Sequence, residues 1–235
     1  MINKIEKMKA DLNSVSITGM SFILKDKCCA VGRKMRLPCS GAKDACHILE
    51  AQGFLKGQPK NWGRFDQVSL TTYAAALWAC ADAGLPFAQG KRRAGIIGFN
   101  QQGAMDSNQA FFADYVNAGR NSARSNLFVY TLPTTPLAEV ALFCGFTGPV
   151  WYMYQSFGGM GRVIEEAALC VLQDDVELML AICADSQEAV CFVVQKSNAK
   201  ELFPFSFVGE HLKGMTSVRE ILQALDMSSE GAGAL

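Results

Sequence analysis

Ser156-Phe157-Gly158-Gly159 stands between an aromatic run, Val150 to Gln155, and a stretch with Met160, Ile164, Ala167, Ala168 and Val171 at helical spacing. A serine just ahead of a glycine-rich helix start places a hydroxyl beside backbone N–H groups that can hold an oxyanion. Such chemistry also needs a base. The only two histidines, His47 and His211, are distant in sequence, and no motif recommends either. The plainer reading makes Ser156 a turn residue capping the helix. Gly158, Gly159 and Gly161 also occupy the place of a phosphate-binding loop, between strand and helix. The segment has neither G-x-G-x-x-G nor Gly-Lys-Ser/Thr, so close helix packing is the expected role of these glycines.

A second group of reactive residues is Cys28, Cys29, Cys39, Cys46 and His47. Structural zinc sites show paired C-x2-4-C spacing, whereas here the gaps are irregular and the one close pair is adjacent, so free thiols in a loop are expected and no metal. The chain has 9 cysteines, an odd number. Cys80, Cys144, Cys170, Cys183 and Cys191 fall in apolar stretches and read as small core residues. Scattered cysteines with no export signal point to reduced thiols and a cytoplasmic address.

The elements that must carry these groups alternate between strand and helix. Val15 to Leu24 is a strand by alternation. Residues 25–61 show no sustained period, apart from a short helix over Asp44 to Gln52. Asp66 caps a helix bearing Leu70, Tyr73, Ala74, Leu77 and Ala81 that stops at Gly84. Ala94 to Phe99 is a short strand, and 100–124 is polar and mixes loop with helix. Thr135 and Pro136 start a helix with Leu137, Val140, Ala141 and Cys144 on one face, ended by Gly145. After the aromatic strand and the glycine-led helix come strands over Glu177 to Cys183 and Ala189 to Gln195, then a helix over Ser217 to Leu225. The small-residue end, Ser228 to Leu235, reads as mobile. This alternation predicts a layered α/β domain.

Half of the 235 residues are hydrophobic and 19% are charged, which excludes an extended disordered chain. Lys and Arg number 22, as do Asp and Glu, and this balance argues against a nucleic-acid or membrane-surface binder. No apolar run is long enough to span a bilayer. With so apolar a composition and no net charge, the chain is expected to hide surface in a partner.

The order of its motifs resembles the N-terminal half of a β-ketoacyl synthase, in the thiolase-like superfamily. VSITGM at Val15 to Met20 is similar to the opening strand and its turn, and Arg64-Phe-Asp through Asp82-Ala-Gly-Leu85 to the family's "RF" helix ending in "DAGL". Ala94 to Gly98 resembles the next strand. Ala138-Glu-Val-Ala-Leu, then Gly145-Phe-Thr-Gly-Pro149, resembles the segment before the nucleophile. These matches keep the family's order over about two-thirds of the chain. The fold implied is a thiolase-like half, with helices layered on a five-stranded mixed sheet. It would form one domain over 1–235, with a core at about 13–197 and an extension over 198–235.

The departures bear on activity. Active synthases carry a catalytic cysteine eight residues after this Gly-Pro, at a helix N-terminus that stabilises a thiolate. Here that position is Phe157, flanked by Gln155, Ser156 and Gly158. The family's catalytic histidines come from a C-terminal half, and nothing after Gln195 resembles one. The resemblance therefore implies a non-catalytic, chain-length-factor-like subunit without condensing activity or cofactor, serving fatty-acid, polyketide or aryl-polyene synthesis. Gln155, Ser156, Phe157 and Gly158 would line what remains of an acyl pocket, with Phe157 plugging the acyl-cysteine's place. Its implied partners are an active ketosynthase or a second copy of itself, and an acyl carrier protein. A lone half would leave one face uncovered, and Trp151, Tyr152, Met153 and Tyr154 would form the interface. The alternative is an acyltransferase or hydrolase of the same fold using Ser156.

Overall fold

A computed structural model describes Leu12 and residues 14–86, 90–120, 122–154, 158–197 and 201–226. Its centre is β1 (Val15–Ile23), in which every residue is buried. A strand covered on both faces needs no alternation of polar and apolar residues, and the hydroxyl of Ser21 is accommodated by donating to the Ala75 carbonyl at 2.6 Å.

The hairpin strands β2 (Lys27–Ala30) and β3 (Met35–Pro38) extend the sheet on one side of β1. On the other side lie β7 (Ala189–Lys196), β6 (Leu178–Ala184), β4 (Ala94–Asn100) and, at the edge, β5 (Val150–Tyr154). A short β8 (Phe203–Pro204) also pairs with β1. Strand β4 runs parallel to β5 and β6, and the remaining pairings are antiparallel. The sheet is mixed, as expected, but it has eight strands among the described residues rather than five. The additions come from segments too short to show a period: β2 and β3 have four residues each and β8 has two. Residues 25–61 are thus more ordered than their sequence suggests, while α1 (Ala42–Ala51) follows the hairpin where a short helix over Asp44 to Gln52 was expected.

One face of the sheet holds α2 (Gln67–Asp82), buried at every position from Ser69 to Ala81. A helix apolar all round belongs between layers, and α2 lies beneath α1 and α5 (Thr135–Cys144) in one cluster. Trp78 is fully buried and its Nε1–H donates to the Ala45 carbonyl at 2.9 Å. The N-cap of α5 is Thr134, one residue before the expected Thr135.

The opposite face holds α6 (Gly159–Leu172), whose Met160, Ile164, Ala167, Ala168 and Val171 are buried as their spacing predicts. Over α6 fold α7 (Phe205–His211) and α8 (Val218–Ala224), which bring Val208, Leu212, Ile221 and Leu222 into the same cluster. The chain itself therefore covers both faces of the sheet, contrary to the expectation of an uncovered one. By contrast, α3 (Met105–Asn117) and α4 (Ser125–Val129) bury no residue and leave Met105, Phe112 and Phe128 more than half exposed. No helix among the described residues is long and apolar enough to cross a membrane.

Candidate functional site

Because β4 is parallel to both of its neighbours, the carboxyl ends of β4, β5 and β6 emerge at one rim, at Asn100, Tyr154 and Ala184. Open α/β sheets bind ligands outside such ends. Asn100 knits this rim together. Its Nδ2 donates to the Ala184 carbonyl at 2.9 Å, and its Oδ1 accepts from the backbone N–H of Gln102 at 3.0 Å and from that of Gly103. The Tyr152 hydroxyl donates to the Asn100 carbonyl at 2.9 Å, and burial pushes the ionisation of that phenol up.

Beside the knot lies a cleft of about 380 Å³, lined by Asn100, Asp106, Ser107, Asp185, Glu188 and Arg219 among others. Arg219 Nη2 donates to Glu188 Oε1 at 2.9 Å and its Nε to Oε2 at 3.2 Å, a two-point pairing. Asp185 accepts from the backbone N–H groups of Gln187 and Glu188. Cys183 reaches the cleft floor, but it is buried, and loss of hydration, followed by the nearby Asp185, raises its thiol well above the usual range. Neutral thiols are poor nucleophiles. No histidine lines the cleft among the described residues, so it suits polar binding better than acyl transfer.

The start of α6 packs against the chain just before Thr216 and Ser217 of the cleft lining. Gly158 is its N-cap, with no side-chain hydrogen bond to the cap, and Gly159 has φ +60°. The first turn of a helix presents N–H groups that its own backbone cannot satisfy. Here the Met160 N–H donates to the Met215 carbonyl at 2.7 Å and the Gly161 N–H to the Leu212 carbonyl at 3.0 Å, while Gly214 N–H donates to the Gly158 carbonyl at 2.8 Å. Two backbones touch along this seam. A Cβ on Gly159 would stand 2.4 Å from the Met215 oxygen, and one on Gly161 2.7 Å from the Gly209 oxygen. The glycines thus serve close packing. The opposing segment is held by the cap of α8: Ser217 accepts from the Glu220 N–H, and the Glu220 carboxylate accepts from the N–H groups of Thr216 and Ser217 at 2.8 and 3.1 Å. Gln101 Nε2 joins it to the strand rim by donating to Thr216 Oγ1 at 2.6 Å.

Of the residues singled out by sequence, Gln155, Ser156 and Phe157 lie outside the described residues, as does the terminal stretch from Ser228. Trp151, Tyr152 and Met153 are half-buried and Tyr154 is 67% exposed, on the edge strand. Tyr152 packs against the α2 cluster, whereas Trp151 and Met153 pack on the α6 side. The cysteine cluster is split: Cys28 and Cys29 are on β2 and Cys46 is on α1 rather than in a loop, while Cys39 follows β3 outside any strand or helix. Among the described residues no three His, Cys, Asp or Glu side chains are grouped to hold a metal. His211 lies at the surface against Phe207, its ring nitrogen 2.8 Å from the Phe207 carbonyl. Asn100 and the Glu188–Arg219 pair escaped sequence reading, since β4–β6 pairing sets Asn100 beside Ala184 and the packing of α8 brings Arg219 to Glu188.

No family model matches the chain, and no curated protein does. Among solved structures it is similar to the ishigamide ketosynthase/chain length factor, with TM-score 0.58 and 12% identity over 78% of this chain and 58% of that one. A β-ketoacyl synthase from Burkholderia phymatum gives TM-score 0.53 at 16% identity, over 78% of this chain and 59% of that one. A type II polyketide ketosynthase, in complex with its acyl-carrier protein, gives 0.53 at 14%, over 78% and 62%. The chain has a ketosynthase-like fold. It spans 58% to 62% of the length of these three structures. The segment between β5 and α6, where the sequence resemblance places the synthase nucleophile, precedes in this ketosynthase-like fold a helix start whose Met160 and Gly161 donors are already engaged.

Proposed function

We propose that this chain is a non-catalytic, chain-length-factor-like subunit that pairs with an active β-ketoacyl synthase in the cytoplasm, in fatty-acid, polyketide or aryl-polyene synthesis. It would act as one domain, with the core at about 13–197 and the extension over 198–235. The observation that carries the reading is the seam at α6, where the Leu212 and Met215 carbonyls accept from the N–H groups of Gly161 and Met160. A nucleophile at a helix start depends on free donors for its thiolate and for the oxyanion that follows. These two donors are spent, and the position eight residues after Pro149 is Phe157 rather than cysteine.

The edge strand supports pairing. Strand β5 has β4 on one side, and its outer backbone edge is open among the described residues. Tyr154 is 67% exposed, and Leu142 on the neighbouring α5 is 79% exposed. An open edge flanked by apolar side chains suits strand addition from a second subunit, which supplies main-chain hydrogen bonds. The neighbours named as a ketosynthase/chain length factor and as a ketosynthase with its acyl-carrier protein supply the partner kinds.

Co-expression with a genomically adjacent ketosynthase and carrier protein, followed by size-exclusion chromatography, tests the proposal. Co-elution is expected, across an interface burying at least roughly 1,000 Å², with dissociation by Tyr154→Asp. A stable monomer that ignores both proteins would overturn pairing, and stoichiometric acylation of Ser156 by an acyl-CoA would overturn the non-catalytic reading.

A further inference from the structure

The antiparallel hairpin sets Cys28 opposite Leu37, and the Cys39 N–H extends the ladder by donating to the Asp26 carbonyl at 3.0 Å. Side chains two residues apart on a strand share a face, so Cys28, Leu37 and Cys39 point the same way. Cys28 and Cys39 both enter the α2-side cluster, and each is the largest influence on the other's ionisation. Adjacent Cys29 points to the other face and packs in the opposite cluster. The hairpin thus selects one partner for Cys28 among its close neighbours in sequence.

We propose that Cys28 and Cys39 form an oxidisable dithiol, a modification site at which hydrogen peroxide closes a disulfide across the base of the β2–β3 hairpin. The order of attack follows from access. Cys39, at 9%, is the most exposed of the nine cysteines, whereas Cys28 is at 0%. Cys39 is also the one cysteine whose ionisation is lowered, to about 7. The neighbouring Cys28 thiol does most of this, against the cost of burial, with help from the Gly41 N–H just before α1 and opposition from Asp44 and Asp26. The thiolate sulfur of Cys39 attacks one peroxide oxygen, the O–O bond breaks, and hydroxide leaves, taking up the proton that Cys39 released. The sulfur of Cys28 then attacks the resulting sulfenic sulfur as its own proton joins the departing hydroxide. Two thiols and one peroxide yield one disulfide and two waters, the sulfurs losing the two electrons that peroxide gains.

Intact-protein mass spectrometry after peroxide treatment, with peptide mapping, tests this site. The expected result is loss of the mass of two hydrogens, one cross-link between Cys28 and Cys39, and reversal by dithiothreitol. Cys46→Ser should leave the cross-link intact. Cys28→Ser should halt Cys39 at the sulfenic acid, captured by dimedone, and in the unoxidised protein Cys39 should be the first cysteine alkylated. A cross-link through Cys29 or Cys46 would overturn the proposal. So would oxidation of Cys39 to sulfinic acid in the wild-type chain with no cross-link.

Discussion

The helices flanking the two faces of the sheet begin in opposite ways. α2 is closed by its own neighbourhood: the Asp66 carboxylate accepts from the Ser69 N–H at 2.8 Å, within one turn of sequence. α6 begins on Gly158 and Gly159 with no side-chain cap, and carbonyls more than one element away take its donors. The first arrangement is an N-cap that any reading of local residue types finds. The second carries the outward signs of a binding or catalytic turn, glycines between a strand and a helix, while its donors are committed to tertiary packing. A glycine-rich helix start is therefore evidence for a site only once the partners of its N–H groups are known.

Substitution at the α6 seam should produce the largest contrast. Alanine at Gly161 would gain roughly 0.5–1 kcal/mol of helix propensity over glycine. Its Cβ, however, would stand 2.7 Å from the Gly209 oxygen and 3.1 Å from the Lys213 backbone, neither of which can rotate away. Forcing such backbones apart costs ~1–3 kcal/mol, so the clash wins. Gly161→Ala should lower the melting temperature and speed amide exchange at Met160 and Gly161. Gly209→Ala, on the facing wall, meets nothing closer than the Phe205 ring at 3.8 Å, so it should be neutral or slightly stabilising. Equal destabilisation by both would show that the seam is looser than these contacts require.

Asp66→Ala is expected to cost less, about 1 kcal/mol. It removes one local hydrogen bond while α2 stays buried on all sides. It also releases the Ser107 hydroxyl, which donates to the same carboxylate, so the start of α3 should gain mobility in exchange measurements. A loss larger than that of Gly161→Ala would reverse the ranking of the two helix starts.

The same distinction between local and distant determinants decides how much was legible in the sequence. Asp66 with its apolar run, and the Met160-to-Val171 face, were readable because cap and period lie within the segment. The helix over 42–51 was readable too, but β2 and β3 were not, because strands of four residues cannot display a period. The covering of α6 escaped because α7 has only seven residues and the seam is made by the Leu212 and Met215 carbonyls that follow it, which no residue type announces. The aromatic strand was found, but its edge position was not, since that follows from β5 pairing in parallel with β4 alone. Knowing the edge singles out Tyr154 as the exposed anchor over Tyr152, whose hydroxyl is bound to Asn100.

Acid should expose the weakest link of the seam, the cap that holds its outer strand of carbonyls. The Glu220 carboxyl is lowered from its ordinary 4.5, chiefly by the backbone N–H groups of Thr216 and Ser217. Below that ordinary value the unfolded chain binds a proton more readily than the folded one, so stability here rises with pH. The contribution is complete above 4.5 and is lost as pH falls through the lowered folded value. Glu220 is exposed, so solvent screening keeps the effect small. The expected signature is local: with falling pH, amides of Thr216 and Ser217 lose protection first and Met160 follows. Glu220→Gln keeps an acceptor oxygen but removes the charge, so it should flatten this pH dependence. If Met160 lost protection with falling pH equally in both proteins, the α6 start would not depend on the α8 cap.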